Sequence, residues 1–455
     1  MDSGAIILGF TGSIGSGCTT IAIALSKAES GYRYFKLSDI IREHLKKEHK
    51  IENPTVEQLQ NAGDELRKKF GREYLAKILC DELKKQSDIN EIIIDGIKNV
   101  GEVEYLRYFP FFFLFSVQAD GDIRMERCCQ GSNRIFDNPD LFLQADLRDQ
   151  DEDDVYGQQV RGCNQLADII KLNNADVPTY PASKREDYAR EIYRKYVYDI
   201  ENLRSGGASP ESRPSVYEFS MTAAHAASRL SSCEKRKVGA VIVELQEERS
   251  IAGSQSDEKV SVLPDIISIG YNEVPLGAHK CVYHPEFHAC YRDHRQERYA
   301  QKLHFCPGCG QRISFTSECP RCQRSYHEFK KVCPDCHGEL APKASCGCDI
   351  AREFIPGGKQ VPGKLLDLCR AVHAEEKALM NLLRRGANPM ENLILFTTTQ
   401  PCNLCANKIV TAGIKKVVFD EPYFMEEAAN ILISGNVEVG RFEGVKSSAY
   451  FRLYR

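Results

Sequence analysis

The tightest constraint on the fold comes from two short pieces of chain, His373-Ala374-Glu375 and, further along, Cys402-Asn403-Leu404-Cys405 behind Pro401. One imidazole and two thiols act together as ligands only if the fold brings the start of one helix and the start of another to a common point. The surrounding pattern predicts this order: a helix from Ala371 to Arg385, a strand from Leu393 to Thr398, a helix from Cys402 to Ala412 and a strand from Lys416 to Phe419. Cys402 and Cys405 then follow a strand and open a helix, where the partial positive charge of the helix N-terminus favours thiolates. Three protein ligands leave the fourth tetrahedral position to water, as a catalytic rather than structural zinc requires, with Glu375 as a proton carrier that is not a ligand. A histidine capping a buried helix, with the C-x-x-C as a redox pair or half of a structural zinc knuckle, is the competing reading, and it does not account for the joint spacing. Glu376 reads as a solvated helix charge.

At 455 residues the chain has room for two or three domains, and 42% hydrophobic beside 27% charged residues is the balance of a globular protein. A net charge of -4 argues against a broad grip on polynucleotide and leaves small nucleotides open. The first residues carry no basic region of the kind a secretory leader needs, and the apolar run Tyr108 to Val117 reads as a buried strand rather than a membrane span. A cytoplasmic protein with no membrane partner is expected. There, 19 cysteines point to metal rather than to disulfides.

The order of elements predicts an α/β fold. A strand from Ala5 to Phe10 leads into Gly12-Ser13-Ile14-Gly15-Ser16-Gly17-Cys18-Thr19 and a helix from about Thr20, with buried parallel strands at Glu91 to Asp95 and Phe111 to Val117. The glycine loop fits G-x-x-x-x-G-x-[ST] on a strand-to-helix turn. Its backbone N–H groups, through Thr20, can cradle the phosphates of a regulatory nucleotide, and Thr19 can reach magnesium. Cys18 stands where the phosphate lysine belongs, so binding is expected without phosphoryl transfer. Ile92 to Gly96 and Arg124 to Arg127 resemble the second acidic motif and the arginine-bearing lid of small nucleotide kinases; a degenerate kinase fold kept as a scaffold is the alternative. This P-loop kinase-like domain is placed at residues 1–200. A linker follows at 201–214, where Leu203 to Pro214 is rich in Gly, Ser and Pro.

Residues 215–455 are read as a second α/β domain, with a helix around Val216 to Leu230, a strand Val238 to Val243, another strand ending at Gly270, and a zinc-ribbon insert at about 300–350. Cys306, Cys309, Cys319, Cys322, Cys333, Cys336, Cys346 and Cys348 supply eight thiols, enough for two closed sites of structural zinc. The tight last pair lets the second site draw on His337 or Cys290 instead, and neighbouring and interleaved pairings both remain open. Residues 301–348 hold seven Lys/Arg and four Asp/Glu. Two zinc ions on eight thiolates add about four negative charges, so the loaded insert is near neutral and suits a structural or oligomer-contact role. Cys281, His284, His288, Cys290 and His294 form either a further metal site or a loop of exposed histidines.

Beyond the zinc residues, Val238-Gly239-Ala240-Val241-Ile242-Val243, Gly270-Tyr271-Asn272, CRAVHAEEKAL and TTTQPCNLCANKIVTAGIKKVVF resemble the deoxycytidylate deaminase branch of the cytidine deaminase superfamily. The resemblance implies a mixed five-stranded sheet with helices on both faces, a homo-oligomer, a hydrolase that turns a deoxycytidine nucleotide into its uracil form, and contact between Asn272 and the nucleotide. Read alone, Asn272 is as easily a turn residue. Arg236 and Lys237 are candidates for the substrate phosphate, against a solvated basic turn, and Tyr423 for packing on the base, against burial in the core. Taken whole, the chain resembles the bacterial anti-phage dCTP deaminases, which implies depletion of a DNA precursor under control of the first domain. Three alternatives stand beside it: a polynucleotide-editing deaminase, a bifunctional nucleotide kinase and deaminase, and an inert nucleotide sensor.

Overall fold

The computed structural model describes residues 4–28, 31–85, 90–130, 134–150, 154–174, 187, 189–204, 213–233, 235–247, 262–283, 290–291, 315–318, 325–326, 336, 341–344, 369–384, 392–422 and 426–454. Its strands are β1 (Ile6–Thr11), β2 (Arg33–Lys36), β3 (Glu91–Asp95), β4 (Phe111–Gln118), β5 (Ile169–Leu172), β6 (Gly239–Glu247) and β7 (Val262–Tyr271). They continue with β8 (Phe315–Glu318), β9 (Ser325–Tyr326), β10 (Ala341–Ala344), β11 (Leu393–Thr399), β12 (Lys416–Glu421), β13 (Glu438–Arg441) and β14 (Gly444–Val445). The chain divides into two compact units, Met1–Ala226 with Val241–Ile267 and Met390–Arg455, and Ala227–Ala240 with Ser268–Pro389.

In the first unit a six-stranded sheet runs in the order β14-β5-β4-β1-β3-β2. β1 pairs in parallel with β3 and β4, β2 with β3, and β4 with β5. β1 is buried along its whole length, as the interior strand of a sheet covered on both faces must be. Its residues alternate between two cores: Ile7 joins Ile92, Phe112 and Leu114 beneath the helices Leu37–His49, Val56–Phe70 and Tyr74–Lys84. Ile6, Leu8 and Phe10 join Phe113 and Phe115 on the other face. That second core also takes Val445, Ala449 and Leu453 from the end of the chain. β14 pairs antiparallel with β5, which makes the sheet mixed at this edge.

A five-stranded sheet has the order β13-β12-β11-β6-β7, with β11, β12 and β13 parallel. The α/β expectation is met by the two sheets. In the second unit β8 pairs antiparallel with β9 and β10, and the helix Ala374–Arg384 lies against the end of β7. Gly270 permits that contact: a Cβ there would stand 2.1 Å from the Ala374 carbonyl oxygen and 2.4 Å from the Ala378 nitrogen. Ser268 Oγ donates to the Ala378 carbonyl at 2.6 Å, and Asn381 Nδ2 donates to the Ile269 carbonyl at 2.9 Å. Among the described residues no helix is long and apolar enough to cross a membrane.

Candidate metal centre and nucleotide loop

The sequence predicts a helix from Ala371; the structure starts it at Ala374 because Val372 is committed elsewhere. Glu273 N–H donates to the Val372 carbonyl at 3.2 Å, and Val372 N–H donates back to the Glu273 carbonyl at 3.0 Å. Glu273 is fixed in turn. Burial pushes its carboxyl up, but Ser232 Oγ at 2.6 Å, the N–H groups of Val274 and Ser232, and Lys280 at 3.4 Å together hold it below the usual glutamate range. His373 follows this bridge directly. Glu375, 4% exposed, lies in the first turn of the helix.

Cys402 is the extended residue ahead of the helix Asn403–Thr411, with φ -81 and ψ 171, and Cys405 falls in that helix's first turn. Both thiols are buried. One ring nitrogen of His373 and the Sγ atoms of Cys402 and Cys405 all lie within 4.8 Å of one another. Zinc–nitrogen and zinc–sulfur bonds in tetrahedral geometry separate ligand atoms by roughly 3.5–3.8 Å. The donor set, one borderline imidazole and two soft thiolates, therefore fits zinc in both spacing and chemistry.

Asn272 uses its carboxamide on the neighbouring backbone: Oδ1 accepts from Val238 N–H at 2.7 Å and Nδ2 donates to the Arg236 carbonyl at 2.9 Å. Its own carbonyl accepts from Ser231 Oγ at 2.6 Å. The side chain thus pins residues 236–238, where Arg236 and Lys237 are exposed just before β6. Tyr423, Cys306, Cys309, Cys319, Cys322, Cys333, Cys346 and Cys348 lie outside the described residues, as do His284, His288, His294 and His337. Cys336, Cys281 and Cys290 are described, each partly buried.

The glycine loop joins β1 to the helix Cys18–Ala28. Gly15 and Gly17 have φ of 81° and 87°, the left-handed region in which a side chain is strained. Arg124 donates to the Ile14 carbonyl at 3.0 Å, Arg127 to the Gly15 carbonyl at 3.2 Å, and Asn173 Nδ2 to the Ser16 carbonyl at 2.7 Å. In trans peptides these contacts turn the N–H groups of Gly15 and Gly17 the other way, as a phosphate cradle needs. The arginines matched to a lid thus clamp the loop's own carbonyls, with Arg124 also paired to buried Asp146. Gly12 to Thr20 line a cavity of about 350 Å³, a size that suits a small ligand. At its floor Thr19 Oγ1 donates to Asp95 Oδ2 at 2.8 Å, and Cys18 Sγ donates to Asp95 Oδ1 at 3.4 Å. Burial and the facing Asp95 push the Cys18 thiol up, so it stays neutral. Sequence reasoning missed Lys36, Lys98 and Asp149, which line the same cavity. The available signal was positional: β1, β2 and β3 are parallel and end side by side at Thr11, Lys36 and Asp95, the edge where such sheets bind ligands.

Residues 214–421 match the cytidine and deoxycytidylate deaminase zinc-binding region. A deoxycytidylate deaminase of Schizosaccharomyces pombe is 26% identical over 359 residues, 79% of each chain. A UPF0200 protein of Methanoregula boonei is 31% identical over 139 residues, 30% of this chain and 71% of the relative. Among solved structures, the apo dCMP deaminase of cyanophage S-TIM5 is similar at 18% identity and a TM-score of 0.24, over 51% of this chain and all of that one. The chain therefore belongs to the UPF0200 family in its first region and carries, behind it, a cytidine and deoxycytidylate deaminase zinc-binding domain.

Proposed function

We propose that the chain catalyses zinc-dependent hydrolytic deamination of a free deoxycytidine nucleotide, dCTP or dCMP, giving the uracil nucleotide and ammonia. The observation that carries this reading is the convergence of His373, Cys402 and Cys405 within 4.8 Å, inside the residues that match the deaminase region. Zinc held by His373, Cys402 and Cys405 would act as a Lewis acid and lower the pKa of a bound water. Glu375 takes a proton from the attacking water as the water oxygen bonds to C4 of the cytosine, and passes the proton to ring N3. A second proton, from the new hydroxyl, moves through Glu375 to the exocyclic amine. The C4–N bond breaks, ammonia departs, and C4 keeps the oxygen as a carbonyl.

Asn272 positions residues 236–238, and the exposed Arg236 and Lys237 are assigned to the substrate phosphates, with Tyr423 assigned to the base. The thiols from Cys306 to Cys348 are assigned to structural zinc on their spacing. A nucleotide at the Gly12–Thr20 loop is assigned control of the deaminase, and the reaction, in this reading, depletes dCTP during phage infection. The pairing of a P-loop region with a deaminase region supports that narrower step. The test is incubation of the zinc-loaded protein with dCMP, dCTP and a cytosine-containing single-stranded oligonucleotide, followed by chromatography of the products. Deoxyuridine nucleotide from dCTP or dCMP, abolished in Glu375→Gln, is the expected result. Product from the oligonucleotide alone, or none from any substrate, would overturn the proposal.

A further inference from the structure

The loop lacks its own cation at position 18, and the cavity shows where another comes from. Four cationic residues line it: Lys36, Arg42, Arg67 and Lys98. Arg67 is spent on buried Glu102 at 2.9 Å, and Lys98 on buried Asp149 at 2.5 Å. Arg42 is 44% exposed and 3.9 Å from Asp39 on its own helix. Lys36, the last residue of β2, instead points its Nζ at the end of the loop, 3.3 Å from Thr19 Oγ1 and 3.8 Å from Asp95 Oδ2. Thr19 occupies the hydroxyl position that in loops of this pattern faces the β/γ end of a phosphate chain. The register that pairs Lys36 with Asp95 and Asp95 with Phe10 holds the lysine at that end.

Ser16 Oγ, Ser38 Oγ and Asp149 Oδ2 are buried without a hydrogen-bond partner among the described residues, and all three residues line the cavity. Buried polar atoms cost free energy unless something satisfies them. Here that points to a polar ligand.

We propose that Lys36 takes over the work of the lysine absent at position 18, so that the loop binds the triphosphate of a nucleotide with a cation delivered from β2. The N–H groups of Gly15 and Gly17 meet the phosphate oxygens from the loop side, and the Lys36 ammonium meets them beside Thr19. The substitution at position 18 is then a relocation of charge, not a loss of it. The inference rests on the reading of the Gly12–Thr20 loop as a nucleotide site, and its test separates the two.

Magnesium complexes of ATP, GTP and dTTP are titrated by calorimetry into the full-length protein and into Lys36→Ala, Lys36→Gln and the double variant Cys18→Lys/Lys36→Ala. Lys46→Ala, an exposed lysine away from the cavity, controls for overall charge, and thermal melting without nucleotide controls for folding. Whichever triphosphate binds the wild type is expected to bind Lys36→Ala and Lys36→Gln about tenfold or more weakly. Lysine restored at position 18 recovers most of that loss, and Lys46→Ala changes nothing. If no triphosphate binds the wild type, the loop reading falls and this inference with it. If one binds and the Lys36 variants, melting as the wild type does, keep its affinity, the loop reading stands and the role of Lys36 is refuted.

Discussion

Glu375 and the three residues that converge on one point, His373, Cys402 and Cys405, should separate under mutation. Glu375→Gln keeps the shape of the buried side chain and removes its ability to carry a proton. Turnover is expected to fall at least about 100-fold while zinc content, measured by elemental mass spectrometry, stays near wild type. Cys402→Ser and His373→Ala should lose metal and activity together. A Glu375→Gln protein that still deaminates would remove the proton carrier from the scheme. Asp420 gives a second prediction at this scale. Burial pushes its carboxyl up, but Lys446 at 3.2 Å and His225 at 2.8 Å outweigh burial and hold it at about 2, against 3.8 unperturbed. Its contribution to stability is present above about pH 4 and is lost as pH falls towards 2. Asp420→Asn should therefore destabilise the protein by roughly 3 kcal/mol at pH 7, with the gap between the two proteins narrowing in denaturant melts as the pH is lowered from about 4 towards 2. The grouping of His373, Cys402 and Cys405 was legible in sequence because H-x-E and P-C-x-x-C each open a helix in the predicted order. The work of Asn272 was not, because Val238 and Arg236 meet it only after β6 and β7 have formed.

At the level of elements, Gly270 shows how one missing side chain sets a helix. An Ala374 oxygen at 2.1 Å and an Ala378 nitrogen at 2.4 Å leave no room for a Cβ, so Gly270→Ala must push the helix Ala374–Arg384 off the strand. His373 stands at the root of that helix. Weaker zinc retention and slower deamination are expected together, read by chelator competition and by product formation; a variant that holds zinc as the wild type does would show that the helix has slack. The capping box of Val56–Phe70, in which Thr55 Oγ1 accepts from Gln58 N–H and Thr55 N–H donates to Gln58 Oε1, makes a useful contrast. Thr55→Ala should cost about 1 kcal/mol of stability and leave deamination untouched. Strand types were legible where burial is nearly uniform: Phe111–Phe115 is an unbroken apolar run because helices cover both faces of its sheet. The onset of the helix after His373 was not legible, because the Glu273–Val372 bridge that delays it joins residues on two distant parts of the chain.

For the molecule as a whole, the least legible feature is the return of the last residues to the first sheet. Nothing in the pair Gly444–Val445 announces a strand, and two residues form one only because the edge of β5 offers Ile169 and Ile170 as partners. Around that pairing the contacts are dense. Lys171 bonds Glu443 at 2.5 Å, Glu218 accepts from Val445 N–H at 2.9 Å and from Tyr454 OH at 3.0 Å, and Lys446 N–H donates to the Asp168 carbonyl at 2.7 Å. Asp168, wholly buried, is shared by Arg107 at 2.8 Å and Arg452 at 3.4 Å. Arg441 also bonds the Gln118 side chain at the end of β4. Burying Val445, Ala449 and Leu453 alone is worth about 4–6 kcal/mol, a large part of the roughly 5–15 kcal/mol that holds a domain folded. A chain truncated after Phe442 should therefore lower the melting temperature of the β1–β5 sheet and open it to limited proteolysis near β5. A fragment ending at residue 200 should behave the same way, and adding a peptide of residues 438–455 should restore part of its protection. If the truncated chain melts and resists protease as the full chain does, β14 is an ornament on the sheet. If it does not, nucleotide binding at Gly12–Thr20 has to be measured on the whole chain, because the sheet that carries the loop is completed by residues at the other end of the sequence.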